Sequence, residues 1–329
     1  MTNPASTNYD IRLGASCTLS GRATLNHQGS KINEILVGKY EMGDVVVAGD
    51  TDSIYFTIPD DLRSTMDKDT FIELANEVGN SVNKSFPDFY NSAFNVPKDQ
   101  ATVIKCAREI CATSAFFIKK KRYAAMVYDE KNFRKDTNVI GKLKVMGLDI
   151  KRADCPAWVQ DKLEETLKKL LGYSYDTSDI LDFIRNWRSE FMGFDPWEMG
   201  IPKRVNKLTY YTDAFKNRDK VTIPGHVRAS INWNNLMGTF NDRVSSEISD
   251  GGKVIVCKLL KNKFGIDSIA YPYDSAHKLP DWFKTLPFDL TGMIDVAVDS
   301  KLENIFGVLG WNLDMVKFDS SQGDLFSEE

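Results

Sequence analysis

Two acids one residue apart, Asp50 and Asp52, stand in Gly49-Asp50-Thr51-Asp52-Ser53 between two apolar runs. Carboxylates at the tip of a turn can project towards one divalent cation. Mg2+ is content with few carboxylates because it keeps several waters and takes phosphate oxygens from a substrate. In two-metal phosphoryl transfer one ion activates the attacking 3′-hydroxyl and the other neutralises the leaving pyrophosphate. The same spacing serves nucleotide-sugar transferases, and a hairpin turn rich in Asp is often only a turn. A calcium-binding loop does not fit, because Ile54 and Tyr55 stand where that loop needs a ligand and a glycine.

The second chemical signal is cationic. Lys120-Lys121-Arg122-Tyr123 follows, and then Lys142-Leu143-Lys144-Val145-Met146-Gly147-Leu148-Asp149-Ile150-Lys151-Arg152. From Phe117 to Arg152 eleven Lys or Arg face four acids, a local charge of +7, within a chain of net charge −4. A second basic stretch, Lys203 to Arg228, sets seven Lys or Arg against Asp213 and Asp219. A solvated basic face would share this composition. Three consecutive cations read as lying inside a strand, however, put charge on both faces of a sheet, which a packed sheet tolerates when one face meets a polyanion. Gly147 allows close backbone approach.

These groups need elements to hold them. The pattern predicts a helix over 16–36 closed near Gly38, a strand over 44–48, a tight turn over 49–52 and a return strand over 53–58 with Ile54, Phe56 and Ile58 on one side. A helix over 70–85 follows, with a further turn or two before Phe94. Strands are predicted at 102–104, 116–118, 123–128 and 139–145. Near Pro156 the texture changes. Val159, Leu163, Leu167 and Leu170 recur at helical spacing, and Ile180, Phe183, Ile184 and Trp187 mark one face of a helix over 177–192, ended by Gly193. Residues 229–248 and 302–310 are further helix candidates. The expected class is α+β: an antiparallel sheet with helices over 1–155, a mainly helical domain over 156–318, and a flexible tail over 319–329.

Composition narrows the classes. A chain of 329 residues with 42% hydrophobic and 27% charged residues suits two globular domains. No apolar run is long enough for a bilayer and the first residues do not begin a signal peptide, so a cytoplasmic setting is expected. Five scattered cysteines without a CxxC pair and three histidines give no expectation of structural zinc. In the tail, Gln322 precedes Leu325-Phe326 between polar flanks, and two large apolar side chains there need a partner.

Gly49 to Ser53 resembles motif C of the family B DNA polymerases. Lys120 to Tyr123 resembles the KKRY segment that holds the primer–template duplex in that family, and Lys142 to Pro156 resembles the stretch leading into the thumb. Asp10-Ile11-Arg12 and Cys17 to Arg22 resemble the palm helix between motifs B and C, and His226-Val227-Arg228 resembles a thumb segment along the primer strand. The pattern is most like that of replicative polymerases of large tailed phages. The resemblance implies the second half of a palm followed by a thumb. It implies Asp52 as the principal metal carboxylate and Asp50 as secondary, with two Mg2+ ions shared with a motif A carboxylate. It implies contact of Lys120, Lys121, Arg122, Tyr123, Lys144, Gly147, Lys151, Arg152, His226 and Arg228 with primer–template DNA. It also implies a sliding-clamp peptide at Gln322, Leu325 and Phe326. Motif A, the dNTP-gripping fingers and the exonuclease have no counterpart in the sequence. A second polypeptide of a split polymerase is therefore expected to supply them, with this chain inactive alone; a non-catalytic DNA- and clamp-binding remnant is the alternative.

Overall fold

The computed structural model describes Thr7 and residues 10–43, 45–137, 140–172, 176–217 and 219–317. They gather into two compact units, Met1–Thr113 with Val127–Lys142, and Ser114–Met126 with Leu143–Glu329. The class is α+β, with antiparallel sheets.

In the first unit α1 (Ile11–Val37) starts where the Asp10 carboxylate accepts the Arg12 N–H, and ends at Gly38, left-handed at φ 82°. It begins five residues before the predicted start, because Asp10 supplies the cap. The antiparallel hairpin of β1 (Val46–Asp50) and β2 (Ser53–Phe56) skips Val47 in its register. After the short α2 (Asp60–Arg63), α3 (Lys68–Phe94) runs unbroken through Pro87. Val78, Val82, Phe86 and Tyr90 recur on one buried face of α3, against Ile32, Val45 and Ala101. This apolar face holds the helix across the proline. The strand predicted at 102–104 is instead a 3-10 turn at Gln100–Val103. The Pro97 carbonyl accepts from Gln100 and Ala101, and the Thr102 hydroxyl donates to the Asp99 carbonyl, so local turn bonds prevail over the β-branched residues.

The strands β3 (Ile110–Lys119) and β4 (Arg122–Glu130) run from one unit into the other; β5 (Phe133–Arg134) and β6 (Lys142–Met146) both pair with β4. β4 is buried from Tyr123 to Asp129. Where it lies in the first unit, Arg108 reaches Asp129 at 2.5 Å, both side chains almost wholly buried, and also bonds Asn76 and Asn132.

In the second unit α4 (Ala157–Leu170) and α5 (Thr177–Met192) bury the predicted stripes, Val159, Leu163, Leu167 and Leu170 facing Ile180, Ile184 and Trp187 in one core. The rest is β7 (Ile201–Arg204), α6 (Leu208–Asn217), α7 (Gly225–Thr239), β8 (Lys253–Lys258), β9 (Ser268–Pro272), α8 (Asp281–Lys284), α9 (Leu290–Ile294) and α10 (Ser300–Leu309), with a π-helical turn at Asp295–Asp299. β7, β8 and β9 form a three-stranded antiparallel sheet. α7 stops nine residues before the predicted 248. Asn241 turns left-handed, and the Asp242 carboxylate accepts the Val244 and Ser245 N–H groups, closing a turn that competes with the helix. Among the described residues no helix is long and apolar enough to cross a membrane.

Candidate active and nucleic-acid-binding site

The acidic turn is tighter than predicted. Gly49 and Asp50 belong to β1, paired with Ile54 and Ser53, and only Thr51 and Asp52 form the turn. Thr51 takes φ 54°, and the Asp52 N–H donates to the Asp50 carbonyl at 2.6 Å, which closes the hairpin in two residues instead of four. The Thr51 hydroxyl donates to Asp50 Oδ1 at 3.0 Å and the Ser53 hydroxyl to the Asp50 carbonyl at 3.1 Å. Asp50 is half-buried at the strand end, and Asp52 is exposed one step beyond it. The hairpin rests on α1 through small residues. A Cβ on Gly29 would lie 2.0 Å from Met42 Sδ, and one on Gly49 would touch Leu25 and Ile54.

The donor set suits a hard cation. Carboxylate oxygens are what Mg2+ takes, and it fills its remaining positions with water and phosphate. Among the described residues no group of three or more His, Cys, Asp or Glu side chains converges on one point.

The basic segment is arranged differently from the prediction. Lys120 and Lys121 are not within a strand: they are the two-residue turn joining β3 to β4. The apolar runs on either side pair with each other, and Lys121 is left-handed at φ 65°. The cations therefore gather at a hairpin tip, and the argument from charge on both faces of a strand no longer applies. Lys120 and Lys121 are exposed, Arg122 is half-buried, and Tyr123 is buried and stacked on Phe117 with ring centroids 5.5 Å apart. Gly147, at φ 64°, gives the close backbone approach its residue type suggests; the neighbour is the Lys121 carbonyl, 2.1 Å from where a Cβ would be. Lys144 is half-buried on β6.

Arg152, His226 and Arg228 meet in a cleft of about 660 Å³ in the second unit. Three cations there have an acid beside them. Arg152 lies 3.1 Å from both Asp149 and Asp154, Lys203 2.7 Å from Asp154, and Arg228 2.7 Å from Asp267. Burial would raise the Asp154 pKa, but Lys203 and Arg152 outweigh it and hold the carboxyl below its ordinary value. Burial lowers the His226 pKa, and Lys203 lowers it further, so the imidazole is neutral at pH 7. Lys151 points elsewhere, to Glu164 at 3.1 Å.

Sequence reasoning missed Lys258 and Lys301, which also line this cleft. Each reaches the cleft from its own element; Lys258 stands among Lys253, Lys261 and Lys263 in no recognisable motif, and Lys301 has no cation near it in the sequence, so no local pattern marks either. Asp50 and Asp52 lie in the first unit and the ten predicted DNA contacts in the second. Gln322, Leu325 and Phe326 lie outside the described residues.

Residues 3–195 match the family model for DNA polymerase family B. The chain is 26% identical over 306 residues to the DNA-directed DNA polymerase of Enterobacteria phage T4, an alignment covering 87% of this chain and 32% of the phage protein. It is 25% identical over 281 residues to the DNA-directed DNA polymerase of Escherichia phage RB69, covering 80% and 30% respectively. Against the DNA polymerase of Paramecium bursaria Chlorella virus NY2A the identity is 26% over 206 residues, 62% of this chain and 20% of the viral protein. The chain therefore spans a third or less of the length of these relatives.

Proposed function

The chain belongs to the family B DNA polymerases, and from that premise we propose that it supplies the second half of the palm and the thumb of a DNA-templated DNA polymerase. The observation that carries the reading is the β1–β2 hairpin, which ends in Asp50 and Asp52. In this reading Asp52 is the principal metal carboxylate and Asp50 the secondary one. Mg2+ bound there stabilises the charge that develops on the phosphoryl oxygens and leaving pyrophosphate during nucleotide addition. The residues of the chain do the positioning. Thr51 donates to the Asp50 carboxylate, and the two-residue turn restricts where the Asp52 side chain can point.

Residues 1–155 are assigned to the palm and 156–318 to the thumb; the compact second unit also takes in residues 143–155 and the turn between β3 and β4. Lys120 to Tyr123, Lys144, Gly147, Lys151 and Arg152, with His226 and Arg228, form the surface that follows the primer–template backbone. A motif A carboxylate, the fingers that hold the dNTP and the exonuclease come, in this reading, from a second polypeptide of a split polymerase.

The test uses the assembled enzyme, obtained by co-purification with that polypeptide. Asp52→Ala is expected to abolish nucleotide incorporation while retaining primer–template binding, and Asp50→Ala to reduce incorporation less. Incorporation at the parental rate by the Asp52 variant excludes the metal assignment. Failure of any polymerase-bearing chain to co-purify favours a non-catalytic DNA-binding module. The tail from Gln322 to Glu329 is assigned to the sliding clamp. Its deletion is expected to leave single-nucleotide addition intact and to remove stimulation by the clamp, and a full clamp response after deletion overturns that assignment.

A further inference from the structure

At the C-terminal end of α7 three aromatic rings meet on the surface of the second unit. Phe240 closes the helix and stays 41% exposed. It stacks on Trp282 of α8, with ring centroids 5.2 Å apart and planes 9° from parallel. Phe264, between β8 and β9, meets Phe240 edge-on at 5.8 Å. Trp282 and Phe264 are half-buried, so Phe240 is the most exposed of the three. Behind them Trp282 packs on the buried Trp233, which ties the stack to the core.

The turns that carry the rings are held by their own side chains. Asp242 Oδ1 accepts the Val244 and Ser245 N–H groups, and Oδ2 accepts the Trp282 indole N–H at 2.9 Å. Asn262 donates to the Leu260 and Ile266 carbonyls and accepts the Phe264 N–H. The rings are therefore ordered before any ligand arrives, which lowers the cost of binding one. Their surroundings are cationic. Arg243, Lys261 and Lys263 are exposed, and Lys263 Nζ lies 5.1 Å from the centre of the Phe264 ring. Among the described residues none of these three cations is paired with an acid. The nearby Asp242 carboxylate is already engaged by the indole and the two backbone N–H groups.

Flat groups joined by anionic links are what an unpaired nucleic-acid strand presents. Every base has a π-face, and stacking on aromatic rings tolerates any sequence. The bases of a duplex are already stacked on one another, so these rings offer a duplex little. An apolar peptide would leave the three cations unused. We propose that Phe240, backed by Trp282 and flanked by Arg243, Lys261 and Lys263, is a stacking site for a base of an unpaired DNA strand. None of these residues lines the basic cleft. Arg228, which does, lies twelve residues before Phe240 on α7, about 18 Å along the helix axis. The site goes beyond the polymerase reading and does not require it, because binding alone tests it.

The full chain is titrated into fluorescein-labelled oligo(dT) of about a dozen nucleotides, and separately into a labelled blunt duplex, with anisotropy as the readout. Phe240→Leu keeps an apolar side chain and removes the ring. It is expected to weaken oligo(dT) binding by about fivefold to a hundredfold and to leave duplex binding unchanged. Phe240→Trp, which keeps a stacking face, is expected to retain oligo(dT) binding. Lys263→Gln, on an exposed site, is expected to lower the salt slope on oligo(dT) by about 0.7, and it carries the test if Phe240→Leu lowers the melting temperature. A parent chain that does not bind oligo(dT), or parental affinity and salt slope in both variants, overturns the proposal and leaves the polymerase reading standing. Equal losses on single strand and duplex overturn it as well. A parent that sediments as a dimer, with Phe240→Leu as a monomer, assigns the rings to a second copy and also overturns it.

Discussion

Gly147 shows how one missing side chain fixes the basic hairpin tip. Its φ of 64° is unfavourable for any residue with a Cβ, and such an atom would sit 2.1 Å from the Lys121 carbonyl. Gly147→Ala combines the left-handed strain with a backbone clash, and is expected to destabilise the second unit by about 2–4 kcal/mol. Gly238 on α7 is the control. It has no positive φ and nothing within 4 Å of a Cβ, so Gly238→Ala is expected to be neutral or to stabilise by up to about 1 kcal/mol. Urea midpoints of the two variants decide the matter; similar values for both would mean that the close approach at 147 is relieved at little cost. The residue type alone announced close approach at Gly147. It could not announce the neighbour, because the Lys121 carbonyl comes from a turn 26 positions earlier in the sequence.

Among the elements, the start of α3 and the turn around β5 are joined by charge. Asp136 accepts from Lys68 Nζ at 2.5 Å and Arg134 Nε at 2.9 Å, and both cations lie over the Tyr128 ring. Arg134 first and Lys68 second hold the Asp136 carboxyl at about 2. The unfolded value is close to 4, so the folded pKa is the lower one. The contribution is therefore complete above about pH 4 and is lost as pH falls towards about 2. Asp136→Asn is expected to lower the melting temperature at neutral pH and to flatten its fall between about pH 4 and 2. Parallel melting curves for parent and variant across that range would show that the pair contributes nothing. Such long-range pairs had no trace in the sequence. The β1–β2 hairpin and the stripes of α4 and α5 did, because alternation and helical spacing are local properties. The β7–β9 sheet was not legible: its strands are short, a long insertion separates β7 from β8, and β7 and β9 carry Pro202 and Pro272. The Lys120–Lys121 turn was misread as strand because no Gly or Asn marks it.

For the molecule as a whole, the net charge of −4 concealed the basic stretch from Phe117 to Arg152, and the structure gathers three of the predicted contacts into one cleft. Backbone contacts release counterions and read no sequence. Lys121→Ala keeps a Cβ on the left-handed backbone and removes the ammonium charge. It is expected to weaken primer–template binding about equally on unrelated sequences and to reduce the salt slope by about one unit; a loss confined to certain sequences would point to base readout. The two units also interleave along the chain, which passes between them after Thr113, after Met126 and after Lys142. This has a consequence for inheritance. A gene crossover with a diverged relative near residue 113 takes Arg108 from one parent and its buried partner Asp129 from the other. One near residue 142 joins the Lys121 turn of one parent to the Gly147 of the other. A single breakpoint in this stretch therefore cannot exchange one unit intact: an intact exchange takes three breakpoints, and chimaeras with fewer require parents that have kept both pairs in register.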